Sequence, residues 1–204
     1  MTANSFELFG TLVDADLPDD PARAVGRELA DRGVDLPADW ATAYDETHID
    51  PPAEAVVPLP AHVSAALGSR GVDAPDNAPR RAVVAAFDPE VRTREGASEA
   101  LAAAADRGPV AVLADAPAPE LARRTLIRAD LDRSLLDATV STAACGWALT
   151  APEAHETVAR RLGAERVVHV GRAAVDREQA RDVTETPLPA LAREWRESPD
   201  DAAR

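Results

Sequence analysis

Apolar positions along the 204-residue chain fall into two rhythms. From residue 94 onward, short runs of Val, Leu and Ala alternate with longer stretches of helical spacing. The runs 110–113, 138–141 and 166–170 predict strands, and 95–106, 119–128 and 152–162 predict helices. Gly108 and Gly163 stand where the first and third of these helices should stop. The strand runs are continuously apolar, not alternating, so the sheet they form should be parallel and covered on both faces. Residues 5–9 read as a further buried strand, broken by Gly10.

Between these parts, 15–90 reads as all helix. Helical spacing through Val25 and Leu29 predicts a helix over 21–32, with Pro21 at its start and Gly33 at its stop. Residues 38–46 predict a second helix with Trp40 and Tyr44 four apart on one buried face. Residues 48–59 carry Pro51, Pro52 and Pro58 and read as a loop. Helices follow over 60–69, ended by Gly71, and over 78–87. The pattern Arg-Gly-Val-Asp occurs at 32–35 and again at 70–73, which is one helix stop used twice, a left-handed Gly followed by an apolar residue folding back. Nothing else recurs, so a solenoid is excluded. A short helix is expected at 191–195 and frayed residues at 198–201. Val183-Thr184 is the one candidate for a last strand after Asp182.

The fold class implied is α/β: a Rossmann-like, three-layer core around a parallel sheet, with an inserted all-helical cap. The core takes 1–14 and 91–190, the cap 15–90, and 191–204 form a C-terminal helix and tail.

Composition refines this picture. Aromatic residues are only 3%, so Leu, Val and Ala must fill the core. The net charge is −14, and all 22 basic residues are arginine. Adaptation to a high-salt cytoplasm would account for the dense carboxylates, as would codon bias in a GC-rich genome, and both fit. The negative field disfavours nucleic acid and anionic membranes as partners, leaving a small molecule or a protein. No apolar run approaches the ~20 residues of a membrane span, and no export signal is evident, so a cytoplasmic location is expected. Cys145 is the lone cysteine. It makes no internal disulfide and reads as a small core residue rather than a nucleophile.

Four segments carry candidate chemistry. Ser5-Phe6-Glu7-Leu8-Phe9-Gly10-Thr11-Leu12 is a buried strand ending in a carboxylate, then a turn. Val110 to Ala114 leads into Asp115. Gly146-Trp147-Ala148-Leu149-Thr150-Ala151-Pro152 precedes a helix. Val168-His169-Val170-Gly171-Arg172 ends another strand, with Asp176 four residues on. In order and spacing these resemble the four motifs of the haloacid dehalogenase superfamily, over about residues 5–182. The resemblance implies a pocket at the carboxyl ends of the strands beneath the cap, as is general for open parallel sheets. It would be lined by Glu7, Phe9, Gly10, Thr11, Ala114, Asp115, Leu149, Gly171, Arg172 and Asp176.

At each signature position the residue departs from the family's pattern. Glu7 stands at the nucleophilic aspartate and Ala114 at the Ser/Thr hydroxyl. Leu149 stands at the lysine and Arg172 at the acidic, magnesium-holding position. Phe9 is similar to the dehalogenase-like branch, since phosphatases carry a second Asp there. The family reaction needs a carboxylate nucleophile and donors for the developing charge. Glu7 is one methylene longer, and a displacement of that size can slow attack about 100-fold. Arg172 should repel magnesium, so no metal or other cofactor is expected. Glu7 and Arg172, at the ends of neighbouring strands, are expected to pair.

The remaining candidates read more plainly. His169 should be a packed strand residue, His155 should lie at the core edge or in solvent, and His48 and His62 belong to the cap. No two share a metal-ligand spacing. Asp14 and Asp16 read as a solvated turn, and Trp147 as packing. Arg80-Arg81, Arg123-Arg124 and Arg160-Arg161 read as solvated helix faces. The functional expectation is a hydrolase-fold protein impaired or inactive in the family chemistry. The alternative is an active phosphatase or 2-haloacid dehalogenase using Glu7, with Arg172 holding the anion.

Overall fold

The computed structural model describes residues 1–75, 77–172 and 180–197. The central sheet contains β1 (Thr2–Glu7), β4 (Val110–Ala114), β5 (Ala138–Ser141), β6 (Arg166–Gly171) and β7 (Ala180–Asp182). Their order is β5-β4-β1-β6-β7, and all four pairings are parallel. The chain leaves β1 toward β4 and β5, then returns to its other side for β6 and β7. That reversal makes the carboxyl end of β1 a topological switch point, where such sheets usually have a ligand crevice.

Side-chain alternation sends the residues of each strand to two separate cores. Phe6, Val112, Ala114 and Val170 pack with α5 (Ala97–Ala105), α6 (Pro119–Arg128) and α9 (Leu188–Glu197). Ala3, Ala111, Leu113, Val140 and Val167 pack on the opposite face, against Ala154, Val158 and Leu162 of α8 (Pro152–Leu162). The large residues here are mainly Leu and Val, as the low aromatic content requires. Trp195 of α9 meets Phe6 edge-on at 6.1 Å between ring centroids, one of the few aromatic contacts in this core.

Four helices, α1 (Pro21–Ala30), α2 (Trp40–Asp45), α3 (Leu59–Ser69) and α4 (Ala78–Ala86), stand between β1 and the rest of the sheet. They pack on one another through Val25, Leu29, Val63, Leu67 and Val83, all buried. Asp20 caps α1 by accepting a hydrogen bond from the Arg23 amide at 2.9 Å, and Gly33 (φ 77°) follows its end. The chain enters and leaves this section along a two-stranded antiparallel ribbon, β2 (Val13–Ala15) and β3 (Val91–Thr93).

The ribbon corrects the expectation that Asp14 and Asp16 form a solvated turn. Asp14 lies in β2, and each carboxylate is held by an arginine at the far end of the insertion, Arg94 at 3.2 Å and Arg92 at 2.9 Å. Strands of three residues are too short to show a period. A final strand exists, but at Ala180–Asp182, earlier than Val183-Thr184; Val183 only adds an amide bond to the Gly171 carbonyl, at 3.2 Å. Helix α9 starts at Leu188 and packs against α5. Two short elements were not anticipated, a 3-10 turn at Arg133–Leu135 and α7 (Thr142–Cys145). The expected frayed residues 198–201 lie outside the described residues. Among the described residues no helix is long and apolar enough to cross a membrane.

Candidate functional site

β1 delivers Glu7 to the crevice, between β4 and β6. The residues after it turn back at once. The amides of Leu12 and Val13 both bond the Leu8 carbonyl at 3.0 Å, and the Gly10 amide bonds the Val13 carbonyl at 2.7 Å. Gly10 sits at φ 76°, a conformation that favours glycine. This loop brings the Thr11 hydroxyl toward Glu7 Oε2, at 3.4 Å.

The Glu7 carboxylate is 6% exposed. Its shortest hydrogen bond comes from the main-chain amide of Arg172, at 2.7 Å to Oε2. The guanidinium is farther away: Nη2 lies 3.8 Å from Oε1 and 3.5 Å from the Phe9 carbonyl. Glu7 and Arg172 therefore meet as expected, but the tighter bond is one that any non-proline residue at position 172 could donate. The guanidinium also lies against Gly10, where a Cβ would collide with it.

Ala114 follows Leu113, the register partner of Glu7. Ala114 is fully buried. Asp115 is exposed and accepts a hydrogen bond from the Thr142 hydroxyl at 2.9 Å. Leu149 packs on the α8-side core, and its main-chain carbonyl bonds His155 Nε2 at 2.9 Å. Phe9 packs on the larger core. Asp176 lies outside the described residues.

Sequence reading missed a buried polar column directly behind Glu7. Ser5, two residues earlier on the same face of β1, is paired in register with His169 of β6. The Ser5 hydroxyl and His169 Nδ1 are 2.8 Å apart. His155 of α8 stands edge-on to His169 with 4.7 Å between ring centroids. His169 Nε2 is buried with no hydrogen-bond partner. Gly171 makes this crowding possible: a Cβ there would lie 2.8 Å from both Glu7 Oε2 and His169 Nε2. Burial, then the neighbouring His155, pushes the His169 pKa down to about 3, so the ring is neutral. Burial also lowers the pKa of His155. His169 is thus the packed strand residue expected, and His155 is half-buried at the core edge. Parity puts Ser5 and Glu7 on one face of β1, but that His169 lies beside Ser5 depends on the register of β1 with β6.

The helical section 15–90 brings its histidines together too. His48 and His62 have ring centroids 5.9 Å apart, and each bonds a main-chain carbonyl, of Ala43 and Tyr44 respectively. Cys145 is half-buried, 3.7 Å from the carbonyls of Thr142 and Trp147. Among the described residues, no group of three or more His, Cys, Asp or Glu side chains could hold a metal ion. Among the described residues, those beside Glu7 do not fit magnesium. Glu7 Oε1 and the Phe9 carbonyl, two oxygens suited to such an ion, both face the Arg172 guanidinium instead.

No protein-family model and no curated protein sequence matches the chain. Solved structures similar to it include the L-2-haloacid dehalogenase of Xanthobacter autotrophicus, at 18% identity over 98% of both chains with a TM-score of 0.47. CbbY of Rhodobacter sphaeroides in complex with phosphate is 20% identical over 83% of this chain and 76% of its own, with a TM-score of 0.49. The 2-haloacid dehalogenase of Pseudomonas syringae pv. Tomato DC3000 is 15% identical over 84% and 77%, with a TM-score of 0.47. The α/β class rests on the chain's own sheet order, parallel pairing and flanking helices. The likeness to these structures is one of fold, and says nothing of activity.

Proposed function

We propose that the chain is a haloacid dehalogenase-like hydrolase scaffold that has lost the family's phosphoryl and haloacyl chemistry, its helical section 15–90 acting as a cap. The observation that carries this reading is the state of Glu7. Its carboxylate is buried, takes the Arg172 amide at 2.7 Å and faces the guanidinium, which also lies over Gly10. A nucleophile needs a lone pair aimed at open space about 3 Å from a reacting atom. It also needs donors for the charge that develops. Ala114 and Leu149 offer none from their side chains, and losing one such donor typically raises the barrier by roughly 3 kcal/mol. Such a scaffold is suited to binding a small molecule or a protein.

The test is turnover of p-nitrophenyl phosphate and of 2-chloropropionate, with and without magnesium, in high salt. The chain is compared with Glu7→Ala and with the fourfold change Glu7→Asp/Ala114→Ser/Leu149→Lys/Arg172→Asp. The expected result is no turnover by the chain itself and measurable turnover by the fourfold variant. Turnover by the chain that disappears in Glu7→Ala would make Glu7 a working nucleophile and overturn the reading. Silence in both would mean that more than the four signature positions has been lost.

A further inference from the structure

Three of the chain's arginines converge where the sheet ends. β5 is one edge strand of the sheet, and a cavity of about 400 Å³ lies along it, lined among others by Arg123, Arg133, Arg161, Thr139, Ser141 and Leu126. None of these is a motif position of the crevice at Glu7. The volume falls in the range of ordinary small-molecule sites, about 300–1,000 Å³.

The three arginines come from separate elements: Arg123 from α6, Arg133 from the 3-10 turn, Arg161 from α8. Helix α6 covers one face of the sheet and α8 the other. Arg123 and Arg161 therefore reach the cavity from opposite sides of the edge strand. Thr139 and Ser141 alternate onto the face that carries Val112 and Ala114, the α6 side. Ala122, Leu126 and Leu136 give the cavity an apolar floor.

What marks these arginines is that three of them gather at one cavity without counter-charge. The chain carries 36 carboxylates to 22 basic residues, and several arginines elsewhere hold one. Arg124, next to Arg123, pairs with Asp88 at 2.6 Å. Arg70 holds Asp39 and Glu46, and Arg92 holds Asp16. Among the described residues Arg123, Arg133 and Arg161 have no ion-pair partner, and no carboxylate lines their cavity. In so acidic a chain, three like charges gathered without an acid between them form a field that attracts an anion. Guanidinium forks suit carboxylate and phosphate oxygens.

We propose that this cavity is a second ligand site, separate from the crevice at Glu7, for a small organic anion. Its phosphate or carboxylate is held by Arg123, Arg133 and Arg161, and its apolar body rests on Leu126 and Leu136. The hydroxyls of Thr139 and Ser141 supply further polar contacts.

Phenyl phosphate, benzoate and inorganic phosphate are the probes, titrated into the whole chain by calorimetry at constant ionic strength. Phenyl phosphate and benzoate carry the same ring on different anions; inorganic phosphate lacks the ring. Saturable binding of at least one ring-bearing probe is expected, at least tenfold weaker in Arg161→Gln and in Arg123→Gln. Arg27→Gln, an exposed arginine on α1, should leave it unchanged, as should Glu7→Ala. The three cavity arginines are exposed, so their glutamine variants should fold, which circular dichroism checks. Absence of saturable binding by both ring-bearing probes would overturn the proposal. So would affinity unaffected by Arg161→Gln and Arg123→Gln, or affinity lost in Glu7→Ala. Inorganic phosphate binding as tightly as phenyl phosphate would overturn the role given to Leu126 and Leu136.

Discussion

Position 172 acts through its main chain as well as its side chain, and the two can be separated. The 2.7 Å bond to Glu7 comes from the amide and the guanidinium is half in solvent, so Arg172→Ala should leave Glu7 bonded and stability within about 1 kcal/mol. Gly171→Ala is the harsher change, although it adds only a methyl group. Its Cβ would meet Glu7 Oε2 and His169 Nε2 at 2.8 Å and Glu7 Cβ at 2.9 Å. Overpacking of this kind costs about 1–3 kcal/mol. Urea denaturation of the two variants should rank them in that order, and a larger loss for Arg172→Ala would mean that the guanidinium is the main tie. His169 adds a pH dependence. Its folded pKa of about 3 lies below the ordinary 6.5. The unfolded chain therefore binds the proton more readily, and the stability from keeping the ring neutral is complete only above pH 6.5. It should fall steadily as pH drops from 6.5 toward 3. Replacing both members of the pair, Ser5→Ala/His169→Leu, avoids stranding a polar partner. It should flatten the denaturation midpoint between pH 6.5 and 5; an unchanged slope would assign the dependence to other groups, His155 first.

The contact of α1 with α2 depends on one glycine. Gly26 lies buried in the middle of α1, where glycine disfavours helix by about 1 kcal/mol relative to alanine. Trp40 of α2 explains it: a Cβ on Gly26 would lie 2.7 Å from the indole Nε1 and 2.9 Å from Cδ1. That nitrogen donates to the Ala22 carbonyl at 2.8 Å. Gly26→Ala should therefore destabilise the chain despite its gain in helix propensity, with altered tryptophan near-ultraviolet dichroism. In a Trp40→Leu background the same substitution should do less harm or help, and equal loss in both backgrounds would remove Trp40 from the explanation. This contact also shows what the sequence could reveal. Helices and central strands were legible because apolar spacing reports which face a residue buries. The meeting of Glu7 and Arg172 was legible because both lie at the ends of neighbouring strands. Invisible were β2 and β3, too short for a period, and β7, partly exposed on the sheet edge. The Ser5–His169–His155 column and the arginines of the β5 cavity depend on register and on which helix covers which face. Spacing along one element does not carry that information.

Charge is a property of the whole molecule, and two electrostatic contributions oppose each other as salt is added. Ion pairs such as Arg70 with Asp39 and Glu46, Arg92 with Asp16, and Arg124 and Arg128 with Asp88 lie at the surface, each with at least one partner open to solvent. Each contributes little, and salt weakens it. Against them stands a net charge of −14, whose self-repulsion disfavours the compact state and is also screened. The pairs are short-range, within hydrogen-bond distance, and direct contacts lose little once the screening length reaches several ångströms. The repulsion acts between carboxylates spread over the surface, where a screening length of about 10 Å at 0.1 M removes most of it. Repulsion should therefore yield more, and the thermal midpoint should rise from 0.05 M to about 0.5 M NaCl. If screening is the cause, KCl and NaCl should act alike and the rise should level off above that range. Sulfate would continue to raise the midpoint through its exclusion from apolar surface, so NaCl and KCl curves that do not level off would point to preferential exclusion instead. A midpoint that falls with NaCl would mean that the arginine–carboxylate pairs outweigh the net charge. The dense acidic surface would then contribute nothing to stability in salt.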